Sequence, residues 1–243
     1  MDNIKIDRRK RYILMLDTET ANTMLDEQGR LDTHYVLPYD IGWAIIDKYG
    51  NSYRERSFIN SDIYYGMRDL MLSAYYANKI PQYDEDIALG LRTVASTYTI
   101  RATMLADFAE FDCVAVCAHN ARFDYNALNN IQRWTTKSKY RYFFPYGVEW
   151  WDSLTMARTV IAKMPTYQRY CEEHEYLTAQ GKPRLTAEIL YRFINRDNNF
   201  DEAHTALEDV TIEAQILAYC YKQHKAMRKE LFQKKLEKFE ETP

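Results

Sequence analysis

Glycine and proline are scarce in this sequence, at 7 and 6 of 243 residues, which argues against linkers and low-complexity segments. Cysteine is rare as well. The four cysteines, Cys113, Cys117, Cys171 and Cys220, form no C-x-x-C pair and complete no zinc motif with histidine. We therefore predict that they are reduced side chains in the core of a cytoplasmic protein.

Long apolar runs and a surplus of positive charge are also missing. No stretch approaches the length of a membrane span. The apolar run 12–16 follows four basic residues, as in a secretion signal, but it is too short and ends at Asp17. The net charge of −3 argues against a basic protein that coats nucleic acid without specificity.

Apolar residues make up 47 % of the chain, enough for a sizeable core, and we predict a single domain over residues 1–243. Short apolar runs predict strands at 12–16, 41–46, 52–59, 114–118 and 148–151. Apolar spacings of three or four predict helices at 121–133, 154–161 and 185–194, and one long helix from 205 toward the C-terminus. This order predicts an α/β fold with a mixed sheet.

Three segments interrupt or follow this alternation. The pattern of residues from about 61 to 110 predicts a helical insertion that is broken near Pro81. We expect this insertion to cover the active site and to govern substrate preference. Residues 134–147 combine basic and aromatic side chains. Residues from about 221 to 243 carry many lysines with apolar residues among them. They predict a helical extension that is either solvated or a docking site for a polymerase or another replication protein.

Acidic side chains follow two of the predicted strands. Asp17 and Glu19 are two positions apart at the end of the first strand, so both carboxylates point to the same face of the sheet. Asp124 lies where the fourth strand passes into a helix, at the sheet edge where α/β folds bind ligands. Taken singly, Asp17 and Glu19 are more typical of a solvated strand end, and Asp124 is more typical of a first-turn acid that the helix dipole favours.

A histidine and a further acid surround the start of the last helix. Thr205 and Glu208 form a capping-box pattern, which predicts that Thr205 is the N-cap. His204 then precedes the helix, and Asp209 lies in its first turns. A histidine on the preceding loop can reach over Asp209, whereas residues five apart within a helix point in different directions. An exposed histidine at a helix start is the ordinary alternative.

In this order, the three motifs resemble those of the DEDDh branch of the 3′–5′ exonuclease superfamily, which includes the proofreading subunit of bacterial DNA polymerase III. Asp17-Thr-Glu-Thr is similar to the first motif, and His119-Asn-Ala-Arg-Phe-Asp124 to the second. His204-Thr-Ala-Leu-Glu-Asp209 is similar to the third. The likeness extends to Trp151-Asp-Ser-Leu, and it covers the first strand and residues from about 110 to 220.

The resemblance implies a ribonuclease H-like fold, with a five-stranded mixed sheet flanked by helices. It implies two Mg²⁺ or Mn²⁺ ions held by Asp17, Glu19, Asp124 and Asp209. His204 is then the general base in the hydrolysis of phosphodiester bonds at the 3′ end of nucleic acid. The expected products are nucleoside 5′-monophosphates.

Substrate contacts are expected from Thr18, Thr20, His119, Asn120 and Phe123. His119 and Asn120 are expected to shape the site, and Phe123 either to pack in the core or to stack on a base. Single-stranded DNA is the first choice of substrate. An RNA-trimming enzyme of the same fold is one alternative, because no residue that would contact a 2′-hydroxyl is identifiable. A non-catalytic nucleic-acid-binding subunit is the other, and loss of a metal ligand would favour it, but none of the four is missing.

Overall fold

The computed structural model describes residues 6–21, 35–72, 77–202 and 204–232, and a six-stranded sheet runs through its centre. The strands are β1 (Ile13–Thr20), β2 (Pro38–Ile46), β3 (Ser52–Asn60), β4 (Thr93–Ala95), β5 (Ala115–Ala118) and β6 (Trp150–Asp152). Their order in the sheet is β4-β3-β2-β1-β5-β6. The β1–β2 and β2–β3 pairs are antiparallel, and the β3–β4, β1–β5 and β5–β6 pairs are parallel.

Helices cover both faces of the sheet. Those of the described residues are α1 (Ser61–Tyr64), α2 (Arg68–Leu72), α3 (Ile80–Ala88), α4 (Thr97–Glu110), α5 (Arg122–Thr136), α6 (Ser153–Thr159), α7 (Pro165–Glu173), α8 (Ala187–Asn195) and α9 (Ala206–Lys222). In the same part of the chain, none of them is long and apolar enough to cross a membrane.

Two apolar cores lie on opposite faces of the sheet because side chains alternate along each strand. Leu14 and Leu16 of β1 point into the core formed with α5 and with the insertion, which includes α4. Ile13 and Met15 point into the core formed with α6 to α9. The four cysteines are buried and free, as predicted.

The mixed α/β fold flanked by helices is confirmed, but the predicted number of five strands is wrong. The sixth strand, β4, lies inside the insertion and pairs with the end of β3. Its three residues are too few for a periodic pattern to indicate a strand. The insertion is otherwise largely helical, yet Pro81 lies in the first turn of α3 and begins that helix instead of breaking one.

The predicted helical extension over residues 221–243 is wrong for its described part. α9 ends at Lys222, and residues 223–232 are not helical. The amide of Asp152 donates to the carbonyl of Lys229 at 2.7 Å, and the amide of Leu231 donates to the carbonyl of Trp150 at 2.8 Å. The chain therefore returns along the free edge of β6. Residues 233–243 lie outside the described residues.

Candidate active site

The predicted acids meet where the end of β1 faces the starts of α5 and α9. Glu19, Asp124 and Asp209 are buried, and Asp17 is half-buried. Ligand atoms of Glu19, His204 and Asp209 all lie within 4.8 Å of one another. Burial, followed by the charge of Asp124, raises the pKa of Asp17 well above its usual range, and Glu19 and Asp209 add to the shift. All four carboxylates thus belong to one cluster.

A glycine allows α9 to reach this cluster. Gly42 of β2 lies opposite Asp17 in the sheet. A Cβ atom at Gly42 would lie 2.5 Å from the backbone of Ala206 and of Leu207. Because backbone atoms at that distance cannot move aside without shifting the helix, any side chain here would displace the start of α9. The close approach places Asp209 beside β1.

Asp124 is oriented by a neighbour from the first motif. The Thr18 hydroxyl donates to Asp124 Oδ1 at 2.9 Å, and both side chains are buried. Burial raises the pKa of Asp124 to about 7, although the hydrogen bond from Thr18 opposes the shift. The bond fixes one carboxylate oxygen, so Thr18 acts on the cluster through Asp124.

Asp209 has an oxygen that the described residues leave without a donor. Its Oδ1 atom is buried and accepts no hydrogen bond from them. Burial, and then the charge of Glu202, raise the pKa of Asp209 to about 8. Burial, and then the charge of Asp209, raise the pKa of Glu19. Crowded carboxylates with an unsatisfied oxygen need protons or cations to neutralise them, and oxygen ligands suit Mg²⁺ and Mn²⁺.

His204 lies outside the helix, as predicted, with Thr205 as the N-cap of α9. Its backbone is in the left-handed region at φ 52°, and its Nδ1 lies 3.6 Å from Glu202 Oε2. Burial, and then the charge of Lys79, lower the pKa of His204, which favours the neutral ring. The capping box takes another form, because the Thr205 hydroxyl bonds to the Glu208 carboxylate and the Thr205 side chain makes no capping hydrogen bond to the helix backbone.

The other predicted site residues occupy different positions around the cluster. The His119 ring bridges Ser153 Oγ at 2.9 Å and the carbonyl of Leu185 at 2.8 Å, which makes it a brace between segments. Asn120 is exposed with φ 63°, Phe123 is half-buried, and Thr20 is buried at the end of β1. Contacts of these residues with a substrate remain predictions.

Glu213 is a buried acid beside the cluster that the sequence patterns did not reveal. It lies one helical turn after Asp209, and its Oε2 accepts the amide of His119 at 3.1 Å. Burial, and then the charge of Asp124, raise the pKa of Glu213 well above its usual range. An acid on the otherwise apolar face of α9 was the available signal.

Two further residues that sequence reasoning missed connect the insertion to the segment that carries His204. Asp40, opposite Glu19 in the sheet, is fully buried. Its Oδ2 accepts the Tyr83 hydroxyl at 2.8 Å and the amide of Ala206 at 3.4 Å. Lys79 Nζ donates to the carbonyl of His204 at 3.3 Å. Both contacts from the insertion therefore end on residues 204–206.

The architecture matches that of solved exonucleases at low sequence identity. Exonuclease I from Methylocaldum szegediense has a TM-score of 0.52 and 16 % identity, covering 88 % of this chain and 41 % of that chain. The nuclease domain of 3′hExo, a DEDDh family member bound to rAMP, has a TM-score of 0.49 and 11 % identity, covering 90 % and 96 %. The chain thus spans about two fifths of that exonuclease I. No family model matches the sequence, and no curated protein matches it. The likeness to exonuclease I defines a ribonuclease H-like fold.

Proposed function

We propose that this chain is a metal-dependent 3′–5′ exonuclease. It hydrolyses phosphodiester bonds at the 3′ end of a single nucleic-acid strand, DNA in the first instance, and releases nucleoside 5′-monophosphates. The observation that carries the proposal is the meeting of Glu19, His204 and Asp209 within 4.8 Å, next to Asp17 and Asp124. A fold shared with an exonuclease I is consistent with this reaction.

The four carboxylates are the proposed ligands of two Mg²⁺ or Mn²⁺ ions. Asp17, Glu19, Asp124 and Asp209 supply the hard oxygen donors that these cations prefer, and the unsatisfied Asp209 Oδ1 is a ready ligand atom. When bound, such ions provide an acidic water for the attack and stabilise charge on the departing 3′ oxygen. Thr18 holds Asp124 in one orientation throughout.

His204 is the proposed general base. Its Nδ1 faces Glu202, so a proton on Nδ1 is directed at a carboxylate and Nε2 keeps its lone pair. Nε2 then accepts the proton of the attacking water. The lowered pKa keeps the ring neutral at physiological pH, and only the neutral ring can accept that proton.

The test is digestion of 5′-labelled single-stranded DNA and RNA with Mg²⁺, Mn²⁺, Ca²⁺ or EDTA. We expect a ladder shortened from the 3′ end with Mg²⁺ or Mn²⁺, and none with EDTA. Ca²⁺ should support little turnover, because it takes more ligands at longer distances. The RNA arm tests the exoribonuclease alternative. Binding without cleavage under every metal would favour the non-catalytic subunit, and robust hydrolysis in EDTA would refute the proposal.

The alternative of docking on a polymerase rested on a helical tail. The helix ends at Lys222, so the described part of the tail lends that alternative no support. The cytoplasmic location stays a prediction, based on the four reduced cysteines.

A further inference from the structure

An aromatic groove runs beside α5, on the segment whose basic and aromatic composition is visible in the sequence. It encloses a cavity of about 440 Å³, a size typical of ligand sites. Its aromatic lining consists of Tyr125, Tyr142, Phe144, Tyr146, Trp150 and Phe232. We call this cavity, together with the exposed side chains at the end of α5, the α5 groove.

The α5 groove begins next to the metal site. Tyr125 follows Asp124 on α5, and neighbouring residues of a helix point about 100° apart. Asp124 therefore faces the cluster while Tyr125 faces the groove. Contacts between rings continue the lining. The ring centroid of Tyr125 lies 5.0 Å from that of Phe232 and 5.3 Å from that of Trp150, and the centroids of Trp150 and Phe144 are 5.5 Å apart.

The far end of the groove exposes aromatic rings to solvent. Tyr146 is fully exposed, Tyr140 is 78 % exposed and Tyr142 is 51 % exposed. Rings exposed to this extent contribute little to the core, and these three belong to one short segment, 140–146, so they mark a candidate interaction surface. The ring positions do not need a partner of one defined shape, because each offers a separate flat face.

Cations accompany the rings along the whole groove. Arg122 lies 4.6 Å from the ring of Phe232 near the metal site, and Arg133 lies 5.1 Å from that of Tyr142. Lys137 and Lys139 lie over Trp134 and Tyr140 at the far end, at 5.0 and 5.2 Å. Arg141 is exposed beside them, and the acids that line the cavity are Glu149 and Glu230. The balance of charge favours a polyanion.

We propose that the α5 groove binds the single strand that leads away from the metal site, with bases stacked on its rings and phosphates held by its cations. The direction of the strand in the groove rests on the proposed function, since that function places the 3′ end in the metal site. Duplex bases stack on one another and cannot enter, whereas unpaired bases offer free faces to aromatic side chains. An apolar peptide would suit the rings but would leave the cations unmatched.

The length of α5 sets the length of strand that the groove can hold. Fifteen residues at about 1.5 Å each span roughly 22 Å, which corresponds to about six stacked nucleotides at about 3.4 Å each. A trinucleotide seated in the metal site is too short to reach Tyr140 and Tyr146. The far rings should therefore matter for long strands alone.

The first experiment measures binding without cleavage. Fluorescein-labelled dT15 is titrated in Ca²⁺ into Asp209→Asn protein and into the same protein with Tyr140→Ala/Tyr146→Ala. Removal of two stacking rings should weaken binding by about 25-fold or more, at about fivefold or more per ring. Tyr140→Phe/Tyr146→Phe should bind within about twofold of the parent, because stacking needs the ring and not the hydroxyl.

A matched control and a salt titration separate stacking from general effects. Tyr49→Ala removes a ring that is 70 % exposed in the β2–β3 turn, on the side of the sheet that packs against α9, and should leave binding unchanged. Lys137→Gln/Lys139→Gln should reduce the slope of log affinity against log salt by about 0.7 for each phosphate that a lysine no longer neutralises.

The second experiment compares cleavage of dT3 and dT15 by the wild type and the Tyr140→Ala/Tyr146→Ala variant. KM for dT15 should rise and that for dT3 should not. Binding equal to that of Tyr49→Ala, or equal competition by blunt duplex, would overturn the groove while leaving the exonuclease intact. Ring-dependent binding by a wild-type protein that never cleaves would instead refute the proposed function and support the groove.

Discussion

Asp209→Asn should stabilise the metal-free protein, and most strongly at alkaline pH. Burial, and then the charge of Glu202, raise the pKa of Asp209 from 3.8 to about 8 in the folded protein. An acid with a raised pKa binds its proton more tightly when folded. Its contribution to stability is full below the unfolded pKa, about 3.9, and is lost as the pH rises through about 8.

The size of the effect follows from these two pKa values. Between them, each pH unit removes up to about 1.4 kcal/mol from the free energy of unfolding, which sums to about 6 kcal/mol as an upper bound. Because the neighbouring carboxylates are coupled and share the bound protons, a single substitution should raise the free energy of unfolding by about 2–4 kcal/mol. The gain should appear in full at pH 8.5 and fall to about a quarter at pH 5. At this chain length it raises Tm by roughly 5–15 °C.

The assay is thermal unfolding in EDTA at pH 5, 7 and 8.5, followed by circular dichroism. Asp69→Asn removes an exposed acid from α2 and serves as the matched control, with no change in Tm beyond about 1 °C. With saturating Mn²⁺ the order should reverse, because the wild type alone keeps all four ligands. If Asp209→Asn melts below wild type in EDTA at pH 8.5, Asp209 is a helix-dipole partner and the reasoning is wrong.

Three other substitutions test the site. His204→Ala should lower turnover by about 10²–10⁴-fold. It should also remove the acid limb of the pH–rate profile, which lies below pH 6.5 because the pKa of His204 is lowered. Calorimetry should still detect Mn²⁺ binding, because no metal ligand has been removed. Gly42→Ala should abolish turnover and lower Tm, because its Cβ would lie 2.5 Å from the backbone of α9, whereas Ser57→Ala on the adjacent strand should do neither. Lys79→Met should reduce kcat more than it changes KM, because it removes the contact with the carbonyl of His204. Lys79→Arg should restore kcat, and Lys48→Met, just beyond the far end of β2, should have no effect. An equal reduction of kcat in the Arg variant would show that the contact with the carbonyl of His204 is not the cause.

The parts of the site that could be predicted from the sequence are those whose pattern is local. Asp17 and Glu19 are two positions apart on one strand, and Asp124 and Asp209 each lie within the first turns of a helix. Strand periodicity and capping signals locate such residues without knowledge of the fold. The order of the motifs along the chain then suggests that these acids act together. The structure adds that their side chains meet in one cluster.

The residues that escaped prediction are defined by contacts between distant segments. Ala206 donates to Asp40 across 166 positions, and Lys79 donates to His204 across 125. No local period reports such pairs. The prediction of a helical tail was wrong for a related reason. The composition of the tail suits a helix, but its path is fixed by hydrogen bonds to the edge of β6.

These distant contacts change what the insertion is expected to do. We predicted a cover that acts on substrate preference more than on the chemical step, and its place as a cover stays a prediction. Tyr83, however, holds Asp40, which receives the amide of Ala206, and Lys79 holds the carbonyl of His204. The cluster itself cannot fix this segment, because its metal-free carboxylates repel one another. The insertion therefore helps to position His204, the proposed general base, so trimming it should reduce the rate of the chemical step as well.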